Sequence, residues 1–420
     1  MFFSKTLSNG IRIVGQHLPY FQSVSIGIWI GTGSAKETEK QAGISHFIEH
    51  MLFKGTKKRT AKQIAVEMDA IGANMNAFTA KEYTCYYVRS TKEQLYPAMD
   101  ILADMIQNSL FQNEDMENEK RVVLEEILMT EDTPEDLVLE ELSAVYYEHH
   151  PLAHPILGYE ETLMSFTADD LRQYMKNHYV TENMVIAVAG NFAEDKLVEH
   201  VENLFAHTER GKAQHFADPP SSLRKRTTMR SKDVEQMQIC LASPGFSLRD
   251  NRYYALMLLA NAMGGSMSSR LFQKIREEKG LAYSVSVFPE AHINTGTLFY
   301  YAGCTGLHAE QVISLILDEM RDVKQNGMSQ DEISHNRQQL LSNYILSNEG
   351  VSSRMMSLGR NFVLFGDART PDEVIHHIQQ INQQHIEEIV PIVFDETTLC
   401  GAFVGRLDAD GQRERLAHLW

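Results

Sequence analysis

Three residues near the start of the chain have the types and spacing needed to bind a metal ion. They are His46, Glu49 and His50, in the sequence His-Phe-Ile-Glu-His. Helical side chains three and four positions apart share one face, so the two imidazoles and the carboxylate would converge. Two imidazole nitrogens can bind zinc, and a carboxylate beside them can accept a proton from zinc-bound water. This order, the reverse of H-E-x-x-H, therefore predicts a zinc-dependent peptide-bond hydrolase.

The residues around the motif favour a largely buried helix. Ile44, Phe47 and Met51 make the segment apolar, and polar groups buried in such a segment usually have a partner. Gly43 followed by Ser45 predicts a turn and then a serine N-cap. The competing interpretation of the motif alone is a surface helix with two solvated histidines and a solvated glutamate.

Two histidines leave a catalytic zinc site one protein ligand short, because such sites typically use three protein ligands and a water. An acidic helix predicted over residues 114–129 offers candidates for the third. Glu119 and Glu126 lie two helical turns apart and nearly on one face, whereas Glu125 is rotated by about 100° from Glu126. Spacing alone does not choose among the three, and most glutamates of this helix are expected to form a solvated face.

Several segments resemble signatures of the pitrilysin and mitochondrial processing peptidase family of inverted-zincin metallopeptidases, and the match is close to its compact bacterial processing-protease members. The resemblance extends over essentially the whole chain. The segments that carry it are residues 31–34, 46–56, 74–79, 265–272 and 276–285.

The resemblance implies a role for each candidate residue of the first half. His46, His50 and Glu126 would bind one zinc ion per chain. Glu49 would be the general base, and Glu119 would be a second catalytic glutamate that assists. The chain matches the family pattern at each of these positions, which argues for an active enzyme.

The resemblance also implies how substrate is held. Arg276 and Tyr283 would anchor the peptide and help polarise its carbonyl. Asn76, Ala77 and Phe78 would form a strand edge on which the peptide is laid as an added strand. A homodimer is expected, in which two chains form a clamshell around a chamber for unfolded peptides. Whether Arg276 and Tyr283 serve their own chain's zinc or the partner's is left open.

Composition narrows the classes of partner. The 420 residues carry a formal net charge of −17 and contain no long Lys/Arg block, which disfavours nucleic acid and anionic membranes. The acidic residues concentrated near the predicted site suggest a preference for basic peptides. Neither of the two glycine-rich nucleotide-binding motifs is present, so a nucleotide-dependent enzyme is not predicted.

The expected location is the cytoplasm. The four cysteines are scattered without C-x-x-C spacing, which is typical of reduced, buried thiols. The first residues lack the pattern of a signal peptide, and no apolar run reaches the roughly 18 residues of a membrane span.

The order of strand and helix patterns predicts an α+β fold of two homologous domains. The family resemblance implies that each domain is a mainly antiparallel sheet covered by helices. The predicted boundaries are a metal-bearing domain over residues 1–210, a polar linker over 211–232 and a domain without the motif over 233–420. The alternatives to an active enzyme are a catalytically silent structural subunit and a peptide-binding module of the same fold. Stoichiometric zinc together with hydrolysis would separate the enzyme from both.

Overall fold

A computed structural model of the chain describes residues 2–208, 210–212, 214–220, 224–367, 369–407 and 412–418. The chain forms two compact units, each assembled from separated segments. The first unit comprises Met1–Ile127, His154–Phe216 and Ile345–Thr370. The second unit comprises Leu128–Ala153, Ala217–Tyr344 and Pro371–Trp420.

Eleven strands are present in the described residues. They are β1 (Phe2–Thr6), β2 (Arg12–His17), β3 (Ser23–Ile30), β4 (Asn74–Thr79), β5 (Thr84–Thr91), β6 (Met184–Gly190), β7 (Thr227–Ser231), β8 (Gln236–Pro244), β9 (Ala282–Ala291), β10 (Gly296–Thr305) and β11 (Cys400–Gly405).

Fifteen α-helices are present in the same part of the chain. They are α1 (Ile44–Leu52), α2 (Ala61–Ala70), α3 (Leu95–Asn108), α4 (Asn113–Asp132), α5 (Pro134–Tyr147), α6 (Glu160–Ser165), α7 (Ala168–His178), α8 (Glu194–Leu204), α9 (Arg252–Ala260), α10 (Ala309–Asn326), α11 (Gln330–Ser347), α12 (Val351–Phe365), α13 (Pro371–Gln380), α14 (Gln383–Val393) and α15 (Gln412–Ala417).

The sheet of the first unit has the strand order β1-β2-β6-β3-β5-β4. Among its described strands, β2 and β6 are the one parallel pair, and the other neighbours are antiparallel. Strand β3 is buried on both faces: Val24, Ile26 and Ile28 belong to one hydrophobic cluster, and Trp29 belongs to another. This alternation follows from the two-residue period of a strand.

The sheet of the second unit has the order β7-β11-β8-β10-β9. Its pairs are again antiparallel except for one, β7 with β11. If β1 is set aside, each strand of the first sheet has a counterpart at the same place in chain order and in sheet order. The internal repeat and the predicted α+β class, with two mainly antiparallel, helix-covered sheets, are therefore confirmed. The clamshell dimer stays a prediction.

The compact units are not contiguous halves, because each half of the sequence contributes one helix to the other unit. Helix α5 packs on β8 and β11 of the second unit, and helix α12 packs on β3 and β6 of the first. Two glycines allow close approach of α12: a Cβ at Gly359 would meet Trp29 Nε1 at 2.0 Å, and one at Gly27 would meet Met355 Sδ at 2.6 Å. The domain boundaries predicted at residues 210 and 233 refer to the homologous halves of the sequence, not to the compact units, and they stay a prediction.

The predicted linker over residues 211–232 differs from the structure at its end. Residues 227–231 form edge strand β7, which pairs in parallel with β11. A polar stretch can form an edge strand because one of its sides faces solvent. Residues 213 and 221–223 of the predicted linker lie outside the described residues.

Two further expectations concern the cysteines and the membrane. All four cysteines are buried and free, as predicted. Within the described ranges, no helix has both the length and the apolarity required to cross a bilayer.

Candidate metal centre

The motif lies on helix α1, whose apolar side is fixed in the core by Phe47 and Ile48. The predicted N-cap at Ser45 is wrong. Ser45 lies inside the helix, where its hydroxyl is 2.9 Å from the Tyr174 hydroxyl. The helix begins after Gly43, in the left-handed region at φ 94°, and the Glu37 carboxylate accepts the amides of Gly43 (2.7 Å) and Ser45 (2.8 Å). The Glu37 side chain, from the turn before the helix, therefore satisfies the amides of the helix N-terminus.

Two histidines and one glutamate converge at the exposed side of α1. His46 Nε2 and His50 Nε2 each lie 3.6 Å from the same oxygen, Oε2 of Glu126 on α4. The ligand atoms of the three residues all lie within 4.8 Å of one another. A tetrahedral zinc with bonds of about 2.0–2.1 Å would hold neighbouring ligand atoms roughly 3.3 Å apart. The spacing of these three side chains therefore fits a zinc ion.

The protonation of His46 also suits a metal ligand. Burial, with a smaller contribution from the charge of His50, lowers the pKa of His46 to about 3. The ring is therefore neutral near pH 7, which is the form of imidazole that binds metals. Its Nδ1 is buried and has no hydrogen-bond partner among the described residues.

The orientation of His50 is fixed by Glu119. His50 Nδ1 lies 2.8 Å from Glu119 Oε1, which leaves Nε2 to face Glu126. Lys54 Nζ lies 2.5 Å from the other Glu119 oxygen. Burial opposes ionisation of Glu119, but the hydrogen bonds and charges of His50 and Lys54 outweigh it, and the pKa of Glu119 is lowered. Glu119 is therefore an ionised, buried carboxylate that can position a metal ligand.

The pKa of His50 is shifted in the opposite direction to that of Glu119. Burial lowers its pKa, but the hydrogen bond to Glu119 and the charges of Glu126, Glu119 and Glu49 outweigh burial, and the pKa is raised overall. A histidine hydrogen-bonded to a carboxylate in this way is a more basic ligand than an isolated imidazole.

The structure distinguishes the three glutamates that spacing left open. Glu126 faces the histidines and Glu119 lies behind His50, whereas the Glu125 side chain is exposed. The rotation of about 100° per residue explains why adjacent glutamates point to different surroundings. The roles of Glu126 as ligand and of Glu119 as assisting residue stay predictions.

Glu49 lies beside the three candidate ligands. Its Oε2 accepts a hydrogen bond of 2.6 Å from Thr79 Oγ1, at the end of strand β4. Burial, reinforced by the charge of Glu126, raises the pKa of Glu49, although the Thr79 hydrogen bond and the charge of His50 oppose the change. A carboxylate with a raised pKa can both accept and release a proton near neutral pH.

The predicted substrate strand is β4, which is an edge of the first sheet. The side chain of Asn76 is exposed, Ala77 is buried, and Phe78 packs edge-on against Trp29 with 5.9 Å between ring centroids. One side of the β4 backbone pairs with β5, and the strand ends at Thr79, which donates to Glu49. A peptide added to this edge would pass close to Glu49.

The other predicted substrate residues lie in the second unit. Arg276 is on a short helical segment, Phe272–Glu278, and Tyr283 is in β9. The Arg276 guanidinium stacks over the Tyr283 ring at 4.7 Å from its centroid, and Tyr283 is 73% exposed. The structure therefore brings these two residues together at the surface of their unit.

Sequence reasoning did not assign roles to three residues that contact the site. Thr79 donates to Glu49, Lys54 pairs with Glu119, and Glu37 caps the motif helix. Thr79 and Lys54 lie within the signature segments 74–79 and 46–56, which was the available signal. No sequence pattern indicated that Glu37 caps α1, because this contact depends on the path of the chain through the preceding turn.

Comparisons with known proteins agree with this description. Residues 12–160 match the family model described as Insulinase (Peptidase family M16), and residues 165–340 match the model described as Peptidase M16 inactive domain. An uncharacterized zinc protease of Bacillus subtilis, YmxG, is 42% identical, and the alignment covers 93% of this chain and 95% of the relative. An uncharacterized zinc protease of Streptomyces coelicolor is 36% identical over 91% of this chain and 85% of the relative.

Solved structures share the fold. A peptidase M16 inactive domain from Pseudomonas fluorescens superposes with a TM-score of 0.91 at 18% identity, and covers 97% of this chain and 98% of its own. A protease from Helicobacter pylori has a TM-score of 0.91 at 20% identity, with 96% and 99% covered.

The fold, the convergent histidines and the relatives place the chain among proteins named zinc proteases. More particularly, the chain belongs to peptidase family M16. The candidate metal centre lies within residues 12–160, the part that matches the insulinase model.

Proposed function

We propose that this protein is a zinc-dependent endopeptidase that cleaves unfolded peptides. One observation carries the proposal: His46, His50 and Glu126 converge at zinc-like spacing with the Glu49 carboxylate beside them. This arrangement contains the three protein ligands and the base that metal-assisted hydrolysis of a peptide bond requires.

His46, His50 and Glu126 would hold the zinc. When bound, zinc lowers the pKa of a coordinated water to near 7 and polarises a carbonyl. Glu49 would accept a proton on its carboxylate and deliver it to the leaving amine, as its raised pKa permits. Thr79 would hold the Glu49 carboxylate in place.

Support for an unfolded, extended substrate comes from edge strand β4, whose Asn76, Ala77 and Phe78 would bind the peptide backbone. Arg276 and Tyr283, stacked on one another, would anchor the peptide. We further propose that the protein is a cytoplasmic homodimer. We also propose that it prefers basic peptides, because its net charge of −17 attracts them. Light scattering tests the dimer, and paired peptides differing by Lys or Gln near the cleaved bond test the preference.

The central experiment measures zinc content and cleavage of a quenched peptide in parallel. Wild type should contain one zinc per chain, cleave the peptide, lose activity in EDTA and recover it with zinc. Glu49→Gln should keep the zinc and lose activity by orders of magnitude, because the amide cannot act as a base. Glu125→Gln, a charge change at an exposed position on α4, is the matched control and should behave as wild type.

A second candidate is a catalytically silent, peptide-binding subunit of the same fold. The description of the model that matches residues 165–340 as an inactive domain favours it. A wild type that binds zinc and peptide without cleaving any peptide would support this candidate and refute the endopeptidase.

A further inference from the structure

The first unit contains a cleft of about 380 Å³ that is separate from the candidate metal centre. None of the predicted zinc ligands, the base or Glu119 lines it. Its walls come from the turn after α1, the end of α3, helix α7 and the residues after α8. A cleft of this size lies within the range that binds small molecules in proteins.

The rim of this cleft is cationic. Lys57, Arg172 and Lys176 line it together with His207, and no described aspartate or glutamate is among the lining residues, although Asp169 pairs with Arg172. Arg172 and Lys176 are four residues apart and so lie on one face of α7. On a chain with a net charge of −17, four basic side chains from three places in the sequence surround one opening. That concentration of positive charge favours an anionic ligand.

Two of the basic side chains are available to a ligand, and the third is already paired. Lys57 and Lys176 are exposed, and within the described ranges neither forms an ion pair. Arg172 is held in place: it donates to Asp169 at 2.9 Å and to the carbonyl of Leu110 at 3.0 Å. The carbonyl of Leu110 therefore holds the guanidinium at the rim, while the exposed Asp169 carboxylate offsets part of its charge.

The floor of the cleft is apolar. Ile106, Phe111 and Tyr179 are each at least 94% buried, and Met175 lies among them. Phe111 has a φ of 52°, a backbone region that a bulky residue rarely adopts and that often marks binding sites. An apolar floor beneath a charged rim suits a ligand with a charged group and an apolar body.

Hydrogen bonds between the walls keep the cleft formed. Gln107 at the end of α3 donates to the carbonyl of Leu204 at the end of α8, at 3.0 Å. The amide of Lys57 donates to the carbonyl of Asn108, also at 3.0 Å. These hydrogen bonds connect the walls in the absence of a ligand. Small-molecule sites in proteins are usually formed in this way before the ligand binds.

We propose that this cleft is a binding site for a small organic phosphate, a molecule with a multiply charged phosphate group and an apolar or aromatic body. The phosphate would lie among Lys57, Arg172 and Lys176, since several cations match several negative charges, with the His207 ring as a further hydrogen-bond partner. The body would lie against Met175, the most exposed apolar residue of the floor, above the buried Phe111 and Tyr179. This function is additional to peptide cleavage and does not depend on it.

Isothermal titration calorimetry with AMP, adenosine and inorganic phosphate tests the proposal on the full chain. Wild type should bind AMP, bind inorganic phosphate at least tenfold more weakly, and not bind adenosine detectably. The double variant Lys57→Gln/Lys176→Gln should bind AMP about tenfold or more weakly, because two charge-assisted contacts are lost. Lys40→Gln/Lys62→Gln, which removes two exposed lysines that do not line the cleft, is the matched control.

Three results would overturn the proposal: no AMP binding by wild type, equal binding of adenosine and AMP, or equal binding of inorganic phosphate and AMP. AMP binding that survives the double variant would place the ligand elsewhere, for example at a metal ion, and would also overturn it. Thermal unfolding of the double variant checks that its fold is intact. Because the readout is binding, an inactive wild type would leave this test unaffected.

Discussion

Replacing Glu119 by alanine should weaken zinc binding although Glu119 is not a predicted ligand. The substitution removes the acceptor 2.8 Å from His50 Nδ1 and the partner 2.5 Å from Lys54 Nζ. His50 then loses the contact that fixes its ring, and the Lys54 charge beside it is no longer balanced. Carboxylates that orient a metal-bound histidine are typically worth a factor of about 10–100 in metal affinity. That factor corresponds to about 1.4–2.8 kcal/mol of binding free energy.

The assay is competition for zinc with a chromogenic chelator, using Glu125→Ala as the matched control. Glu125 is on the same helix, is exposed and loses the same charge, so it corrects for the general electrostatic effect. Glu119→Gln, which keeps an acceptor for His50, should fall between wild type and Glu119→Ala. Equal zinc affinities for Glu119→Ala and Glu125→Ala, with both proteins folded by circular dichroism, would refute the positioning role of Glu119.

Three further outcomes are expected. Thr79→Val should lower kcat/KM about tenfold or more in the peptide-cleavage assay, because a hydrogen bond to a charged group is lost, and Thr79→Ser should restore it. Gly359→Ala should reduce the free energy of unfolding by about 1–3 kcal/mol in urea melts, because its Cβ would overlap Trp29. Gly350→Ser, at the N-cap of the same helix, should change it by only about a few tenths of a kcal/mol, because serine and glycine are both favourable there. His178 is buried, and burial followed by the charge of Lys36 lowers its pKa to about 4. The unfolded chain binds a proton there below about pH 6.5, so wild type should lose about 2 kcal/mol of stability from this residue between pH 7 and pH 5, and urea melts of His178→Gln should lack that loss. A variant as pH-sensitive as wild type would contradict the assignment.

The parts of the site that sequence could predict are those governed by local geometry. His46, Glu49 and His50 are within one helical turn of each other, so their convergence requires only that the segment be helical. Strand β3 and helix α2 depend on equally local features, namely the alternation of residue types in Ser23–Ile30 and the capping of α2 by Thr60. Glu126 and Glu119 could be proposed by resemblance, but spacing alone could not separate them from Glu125.

The parts that sequence could not predict depend on contacts between distant residues. The Ser45 prediction was wrong because a serine near a helix start is a local signal, and a carboxylate from Glu37 took the cap instead. It was not predicted that α5, from the first half of the sequence, packs in the second unit, or that α12, from the second half, packs in the first. An amphipathic pattern shows that one face of a helix is buried, but not against which sheet. The cationic cleft is similarly invisible in the sequence, where Lys57, Arg172 and His207 are far apart.

The sequence by itself determined the metal-binding motif, the repeated order of strands and helices, and the family to which the chain is similar. These features follow from residue type and from periods of 2 and 3.6 residues, which act over short stretches of chain. Only the tertiary structure decided which glutamate faces His46 and His50, which residue holds Glu49, and which basic residues share a cleft. Those choices follow from the packing of helices on sheets, because a rotation of about 100° or a shift of one turn moves a side chain from one environment to another.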